Sequence, residues 1–162
     1  MRARRLICPG PRRIEVEEFD LAGPGKGEIL VENDYTAVST GTEVHNWIHG
    51  CEPGGTPRFP RTTGYCSTGV VLEVGEGVTG FGPGDRVAAQ GNHASHGVLS
   101  QLAYRAPAAV RPEDAAFLVM AAIAMHGIRR ARLELGESVV VLGLGIVGQL
   151  ARRRPSAHLG RC

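Results

Sequence analysis

Three glycines, Gly143, Gly145 and Gly148, follow the apolar run Val139-Val140-Val141-Leu142 at the spacing G-x-G-x-x-G. In that pattern the first glycine permits a tight turn, the second lets the backbone approach a diphosphate, and the third lets the next helix pack close to the strand. The start of such a helix holds anions through its unpaired N–H groups and the positive end of its dipole. Gly143, Leu144, Gly145, Ile146, Val147 and Gly148 are therefore the candidate dinucleotide-binding loop, fed by residues 139–142 as a strand buried on both faces. A second group able to do chemistry is Thr40-Gly41-Thr42-Glu43-Val44-His45. A hydroxyl donates and accepts at once, and an imidazole titrates near neutral pH. Thr42 also suits a helix N-cap and His45 a surface position, so both readings stand for this pair.

These groups need elements to position them. Residues 4–8 and 12–19 read as two short edge strands around Pro9-Gly10-Pro11, the second alternating Ile14-x-Val16 on one face. Residues 28–38 form a long β-rich stretch with an apolar half, predicted as a central strand. A short helix through Val44, Trp47 and Ile48, capped by Thr42, is expected to end at Gly50. From Gly64 the chain returns to short strands separated by glycine turns, with two more over residues 92–99 and 102–106, which argues for a small β-barrel-like domain. Pro112, followed by Glu113 and Asp114, opens a helical region that runs with a break to Leu133 and stops at Gly136.

Composition narrows the class. The chain has 162 residues, 43% of them hydrophobic and 21% charged, with a formal net charge of +2, which fits one sizeable core and the beginning of a second. Arg152, Arg153, Arg154 and Arg161 lie in the last twelve residues with no acid, so residues 1–150 carry a net −2. No basic face for nucleic acid is implied. No apolar run reaches eighteen residues, and no signal-like apolar core follows Met1-Arg2-Ala3-Arg4-Arg5, so no membrane partner and a cytoplasmic location are expected. Cys8, Cys51, Cys66 and Cys162 lack C-x-x-C spacing and read as free thiols.

The run from Val70 through Gly75-Glu76-Gly77-Val78-Thr79-Gly80-Phe81-Gly82-Pro83-Gly84-Asp85-Arg86-Val87 resembles the catalytic-domain signature of the medium-chain dehydrogenase/reductase superfamily, the alcohol-dehydrogenase-like enzymes. The order of parts is similar too: a GroES-like β domain, linking helices, Gly136-Glu137, a first Rossmann strand and the glycine triplet. The resemblance covers residues 1 to about 150. It implies hydride transfer between NAD or NADP and a small-molecule carbonyl or alcohol, and a homodimer in a full-length relative. By the same resemblance Thr42 and His45 match the hydroxyl and imidazole that relay a proton from the substrate oxygen. Tyr65 stands where it can polarise a carbonyl, or simply pack.

Zinc-binding members resemble one another in three ligand stretches. Here Thr40 stands at the first ligand, Tyr65 of Gly64-Tyr65-Cys66 at the second, and the third falls near Met120. A hydroxyl, a phenol and a thioether are poor zinc ligands, so zinc is not expected. The four-cysteine structural lobe has no counterpart between Val87 and Asn92. A rearranged site from Glu43, His45, Cys66, His93 or His96 is the alternative, since these are permissible ligand types. The pattern 39–43 with Gly64-Tyr65 resembles the branch containing bacteriochlorophyllide dehydrogenase.

The expected architecture is mainly β with α: a GroES-like β-barrel domain over residues 1–110, a linking helical segment over 111–136, and an incomplete Rossmann start over 137–162. Three arginines and Pro155 replace the apolar positions a Rossmann helix needs, which reads as a frameshift or premature end near residue 151. With only Gln149 to Cys162 beyond the glycines, where a βαβ unit needs about 30 residues, weak or no NAD(P) binding and no turnover are expected of these 162 residues alone. A non-catalytic GroES-like binding or interaction module, and a zinc-dependent enzyme with a rearranged metal site, are the competing readings.

Overall fold

The computed structural model describes residues 1–51, 54–100, 102–134 and 137–152. The chain divides into two compact units, Met1–Leu118 and Val119 onward. In the first, β1 (Arg2–Cys8), β2 (Glu15–Asp20) and β4 (Arg61–Thr62) make a three-stranded sheet in the order β2-β1-β4. A five-stranded sheet contains β3 (Ile29–Thr36), β5 (Ser67–Val74), β6 (Arg86–Ala89), β7 (His96–Leu99) and β8 (Ala103–Arg105), in the order β7-β3-β5-β6-β8. Every pairing is antiparallel. Helix α1 (Thr40–His49) connects β3 to β4, and the single turn α2 (Pro112–Ala115) packs on β3 and β5.

The core is aliphatic and small. Ile29, Val31, Val71 and Val87 form its centre, with Val74, Val78, Phe81, Leu99 and Ala103 against it. Burying each branched side chain contributes roughly 1.5–3 kcal/mol, and β-branched residues suit the pleated surface. Residues 28–38 do supply a central strand, since β3 lies between β5 and β7. β1 differs from its reading as an edge strand: it is flanked by β2 and β4, because Ile7 and Cys8 pair with Thr62 and Arg61. The Ile14-x-Val16 face is exposed, because β2 is the sheet edge and that face has nothing against it. The stretch 92–99 is strand only from His96; before that its backbone is used in single bonds, with His93 N–H donating to Thr63 and Ser95 N–H to Arg4.

Helix α3 (Leu118–Arg130) follows α2, so the expected break falls at Ala116-Phe117, and the helix stops before Leu133. Gly136, its proposed stop, lies outside the described residues, as do the aberrant tail from Arg153 and Cys162. Cys8, Cys51 and Cys66 are free thiols. In the second unit residues 139–142 are extended in sequence pattern but are not a paired strand: Val140 is 81% and Leu142 92% exposed. Strand structure needs a neighbour for its N–H and C=O groups, and among the described residues none lies beside this segment. Helix α4 (Ile146–Arg152) begins two residues before Gly148, within the glycine motif rather than after it.

Gly69 in β5 faces β3 so closely that a Cβ would run into the Glu32 carbonyl oxygen. Gly10, in the β1–β2 connection, has open space around the same position. Gly69→Ala is therefore expected to lower the unfolding free energy by about 2 kcal/mol or more through forced backbone displacement. Gly10→Ala should change it by less than about 0.5 kcal/mol. Urea unfolding of the two variants checks this, and equal midpoints would refute the close approach of β3 and β5.

Candidate active site

Helix α1 carries both proton-handling candidates. Ser39, in extended conformation, is its N-cap, so Thr42 sits in the first turn and not at the cap position; the Ser39 hydroxyl lies 3.3 Å from the Thr42 hydroxyl. This corrects the cap reading of Thr42 and leaves its Oγ1 free of a capping duty to the backbone. His45 follows at i+3, on the same helical face, half-buried. Its ring lies against that of His49, with centroids 4.6 Å apart. Gly50 ends the helix in the left-handed region (φ 69°), where its N–H donates to the Asn46 carbonyl at 2.8 Å. A side chain at Gly50 would also strike the Phe59 ring, so the stop is doubly specified.

Glu43, between these two, turns inward. Its Oε1 accepts the Gly64 N–H at 3.0 Å and lies 4.0 Å from His93 Nε2. His93 is 6% exposed, and its Nδ1 is 2.8 Å from the Thr36 hydroxyl. Thus α1, β3 and the connection ahead of Tyr65 meet at one buried polar junction. Tyr65 itself is half-buried in the β4–β5 connection, immediately after the anchored Gly64, and Cys66 beyond it is fully buried, its carbonyl accepting the Ala37 N–H at 3.0 Å. Sequence reasoning placed Glu43 and His93 among possible metal ligands and missed their pairing. The available signal was a histidine set between two short β segments, with a carboxylate one position from the Thr42 candidate.

Burial pushes the His93 imidazole below the ordinary value of 6.5, and the nearby Glu43 carboxylate opposes this only in part. A neutral ring with Nδ1 accepting from the Thr36 hydroxyl directs Nε2–H toward Glu43. The opposite tautomer would set a lone pair against a carboxylate, so the Nε2–H form is favoured.

The positions that resemble a zinc site carry no zinc-donor side chain. Thr40 is the exposed first residue of α1, Tyr65 carries a phenol, and Met120 is a buried thioether on α3 in the second unit. Of the rearranged set, Glu43 and His93 meet, whereas His45 faces His49, and His96 lies beside Ser95 and Glu32. Among the described residues no three His, Cys, Asp or Glu are gathered closely enough to hold a metal. The donors present do not fit a catalytic zinc.

In the second unit two of the three motif glycines are sterically required. Gly143 has φ 92°, open to glycine and strained for other residues. A Cβ on Gly148 would run into the Gly143 carbonyl oxygen, whereas one on Gly145 would meet nothing. The Gln149 N–H donates to Gly145 O at 2.9 Å and its side-chain amide to Leu144 O at 3.0 Å, which fixes the turn into α4.

Residues 25–104 match the alcohol dehydrogenase GroES-like domain family. The chain is 30% identical over 175 residues to 2-desacetyl-2-hydroxyethyl bacteriochlorophyllide A dehydrogenase of Rhodobacter capsulatus, covering 99% of this chain and 54% of that protein. It is 26% identical to sorbitol dehydrogenase of Bos taurus over 88% of the chain and 49% of the relative. Among solved structures, 2R,3R-butanediol dehydrogenase of Bacillus subtilis superimposes with TM-score 0.79 at 20% identity, over 92% of this chain and 53% of that one. The Escherichia coli quinone oxidoreductase in complex with NADPH superimposes with TM-score 0.67 at 26% identity, over 79% and 41%. The chain spans about half the length of the curated relatives it matches. No helix of the described residues is long and apolar enough to cross a membrane.

The depressed His93 titration has a measurable sign. Between its folded value and 6.5 the unfolded chain binds a proton that the folded chain does not, so His93 makes stability rise with pH, fully present above about 6.5 and lost as pH falls below it. Urea unfolding at pH 7.5 and pH 5.5 should show a loss at the lower pH that His93→Gln reduces. An unchanged pH dependence in the variant would remove His93 as its source.

Proposed function

The chain belongs to the medium-chain dehydrogenase/reductase superfamily, and from that premise we propose that it serves NAD(P)-dependent hydride transfer between a nicotinamide and a small-molecule carbonyl or alcohol. The observation that carries this reading is the glycine loop: residues 143–148 form a turn in which the Gly148–Gly143 approach excludes any side chain while the space at Gly145 stays open. Backbone at that opening is what a diphosphate needs. Gly143, Leu144, Gly145, Ile146, Val147 and Gly148 would hold the pyrophosphate of the cofactor, and the nicotinamide, when bound, supplies or accepts the hydride.

The β domain supplies substrate positioning and proton handling. The Thr42 hydroxyl, on the first turn of α1, accepts a hydrogen bond from an alcohol substrate or donates one to a carbonyl oxygen. His45, one turn on, takes up or returns the proton at a ring nitrogen within reach of solvent. With no metal to polarise the substrate oxygen, that duty falls to the Tyr65 phenol, whose O–H donates to it. Glu43 holds the Gly64 N–H and through it sets the backbone that leads into Tyr65.

Ligand-observed NMR at millimolar NADH or NADPH tests the cofactor half on these 162 residues. Weak saturation transfer is expected for the parent and none for Gly148→Ala, whose Cβ collides with the Gly143 carbonyl, with the spectrum of the β domain unchanged. Transfer that persists undiminished in the variant would detach the glycine loop from nicotinamide binding and sink the proposal.

A further inference from the structure

His45 and His49 stand one helical turn apart on α1, and their rings, with centroids 4.6 Å apart and planes at 42°, already lie together. Residues at i and i+4 share a helix face, and two imidazoles so placed are the donor pair from which helical metal sites are made. We propose that His45 and His49 form a two-imidazole chelating site for a nitrogen-preferring divalent transition metal of the Cu²⁺, Ni²⁺ or Zn²⁺ class. Mg²⁺ and Ca²⁺, which take oxygen ligands, do not suit it.

Three features of the surroundings support a cation there. The pair occupies the last turns of α1, where the aligned peptide dipoles give the helix end a partial negative charge. That end is held in place: Gly50 N–H bonds to Asn46 O at 2.8 Å, Arg58 N–H to Gly50 O at 3.0 Å, and Arg12 N–H to Trp47 O at 2.8 Å. A fixed backbone lowers the ordering cost of bringing two imidazoles onto one ion. His49 is exposed and His45 half-buried, so an ion arrives from solvent and water completes its coordination. The site is unrelated to the three-donor zinc position of the superfamily, whose residues here are Thr40, Tyr65 and Met120. Metal and proton compete for the same ring nitrogens. A metal-bound His45 is thus withdrawn from proton transfer; that consequence rests on the role proposed above, whereas the binding does not.

The test is calorimetric titration of the 162-residue chain with Cu²⁺, Ni²⁺ and Zn²⁺ separately, on the parent and on His45→Gln, His49→Gln and His126→Gln. His126 is an exposed imidazole on α3 with no other histidine three or four residues away, and serves as the single-donor control. One equivalent is expected to bind the parent, most tightly for Cu²⁺. Each α1 variant should weaken it by about tenfold or more, the gain of a second donor held at high effective concentration, and His126→Gln should leave it unchanged. Far-UV circular dichroism confirms that the variants keep their fold. Cu²⁺ should broaden the amide resonances of residues 45–50 before those around His126. A change under tenfold in either α1 variant, or broadening centred elsewhere, overturns the chelate.

Discussion

The junction of Glu43, Gly64 and His93 is the contact on which the rest of the β domain's arrangement depends. His93 makes three hydrogen bonds: its N–H donates to Thr63 O, its carbonyl accepts from Leu6 N–H and its Nδ1 meets the Thr36 hydroxyl, while its buried Nε2 faces Glu43 Oε1 at 4.0 Å without a hydrogen bond. These bonds tie β1, β3 and the β4–β5 connection to a single buried residue, and Glu43 fastens α1 beside it through the Gly64 N–H. Breaking any of these hydrogen bonds leaves a further buried polar group unsatisfied at a cost of about 1–3 kcal/mol, which holds the segments to one mutual position. The apolar core around Val31 and Val71 supplies stability without direction; this polar knot supplies direction. Because Glu43 lies between Thr42 and His45 on one side and Gly64 ahead of Tyr65 on the other, the knot also orients every candidate catalytic side chain.

Much of this was legible in the residues, and the reasons differ by element. The β3 core, the glycine turns of the signature run and the α1 stop at Gly50 follow from local rules, apolar pattern and left-handed geometry, which a single sequence displays. β1's second neighbour was not legible, since β4 is two residues long and its pairing to Ile7 and Cys8 is set by the tertiary path of the loop before it. The Glu43–His93 pair escaped for the same reason: the partners are fifty residues apart, and no periodicity links a helix residue to a histidine in an irregular segment. Thr42 was displaced from the cap position by Ser39, a residue equally suited to it. The cap is decided by where the chain leaves β3, which sequence preference alone does not rank.

Thr40, Tyr65 and Met120 are not zinc-donor residue types, and what fastens α1 to the β4–β5 connection is a carboxylate. Thr40 is exposed at the helix start, and the Glu43 carboxylate holds the helix in place through the Gly64 N–H. With Glu43 turned toward Gly64, His45 is the half-buried imidazole on the helix face that carries Thr42. The same face carries His49, so the helix that lacks the catalytic zinc ligand presents two nitrogen donors a turn away. On the proposed roles, chelation and proton transfer would be alternatives for the single His45 imidazole.

The glycine loop and the apolar run before it separate two kinds of structural information. The turn from Gly143 to Gly148 is enforced by contacts five residues apart: a carbonyl that tolerates no Cβ opposite it and a glutamine that bonds back across the loop. Such geometry needs no sheet, which is why it is present although Val140 and Leu142 remain exposed. Burial of an apolar strand is a different matter, because its hydrogen bonds and its faces both require neighbours distant in sequence. Steric exclusion therefore specifies the shape of the turn independently of the surrounding layer, whereas the apolar run that leads into it takes strand form only with neighbours distant in sequence.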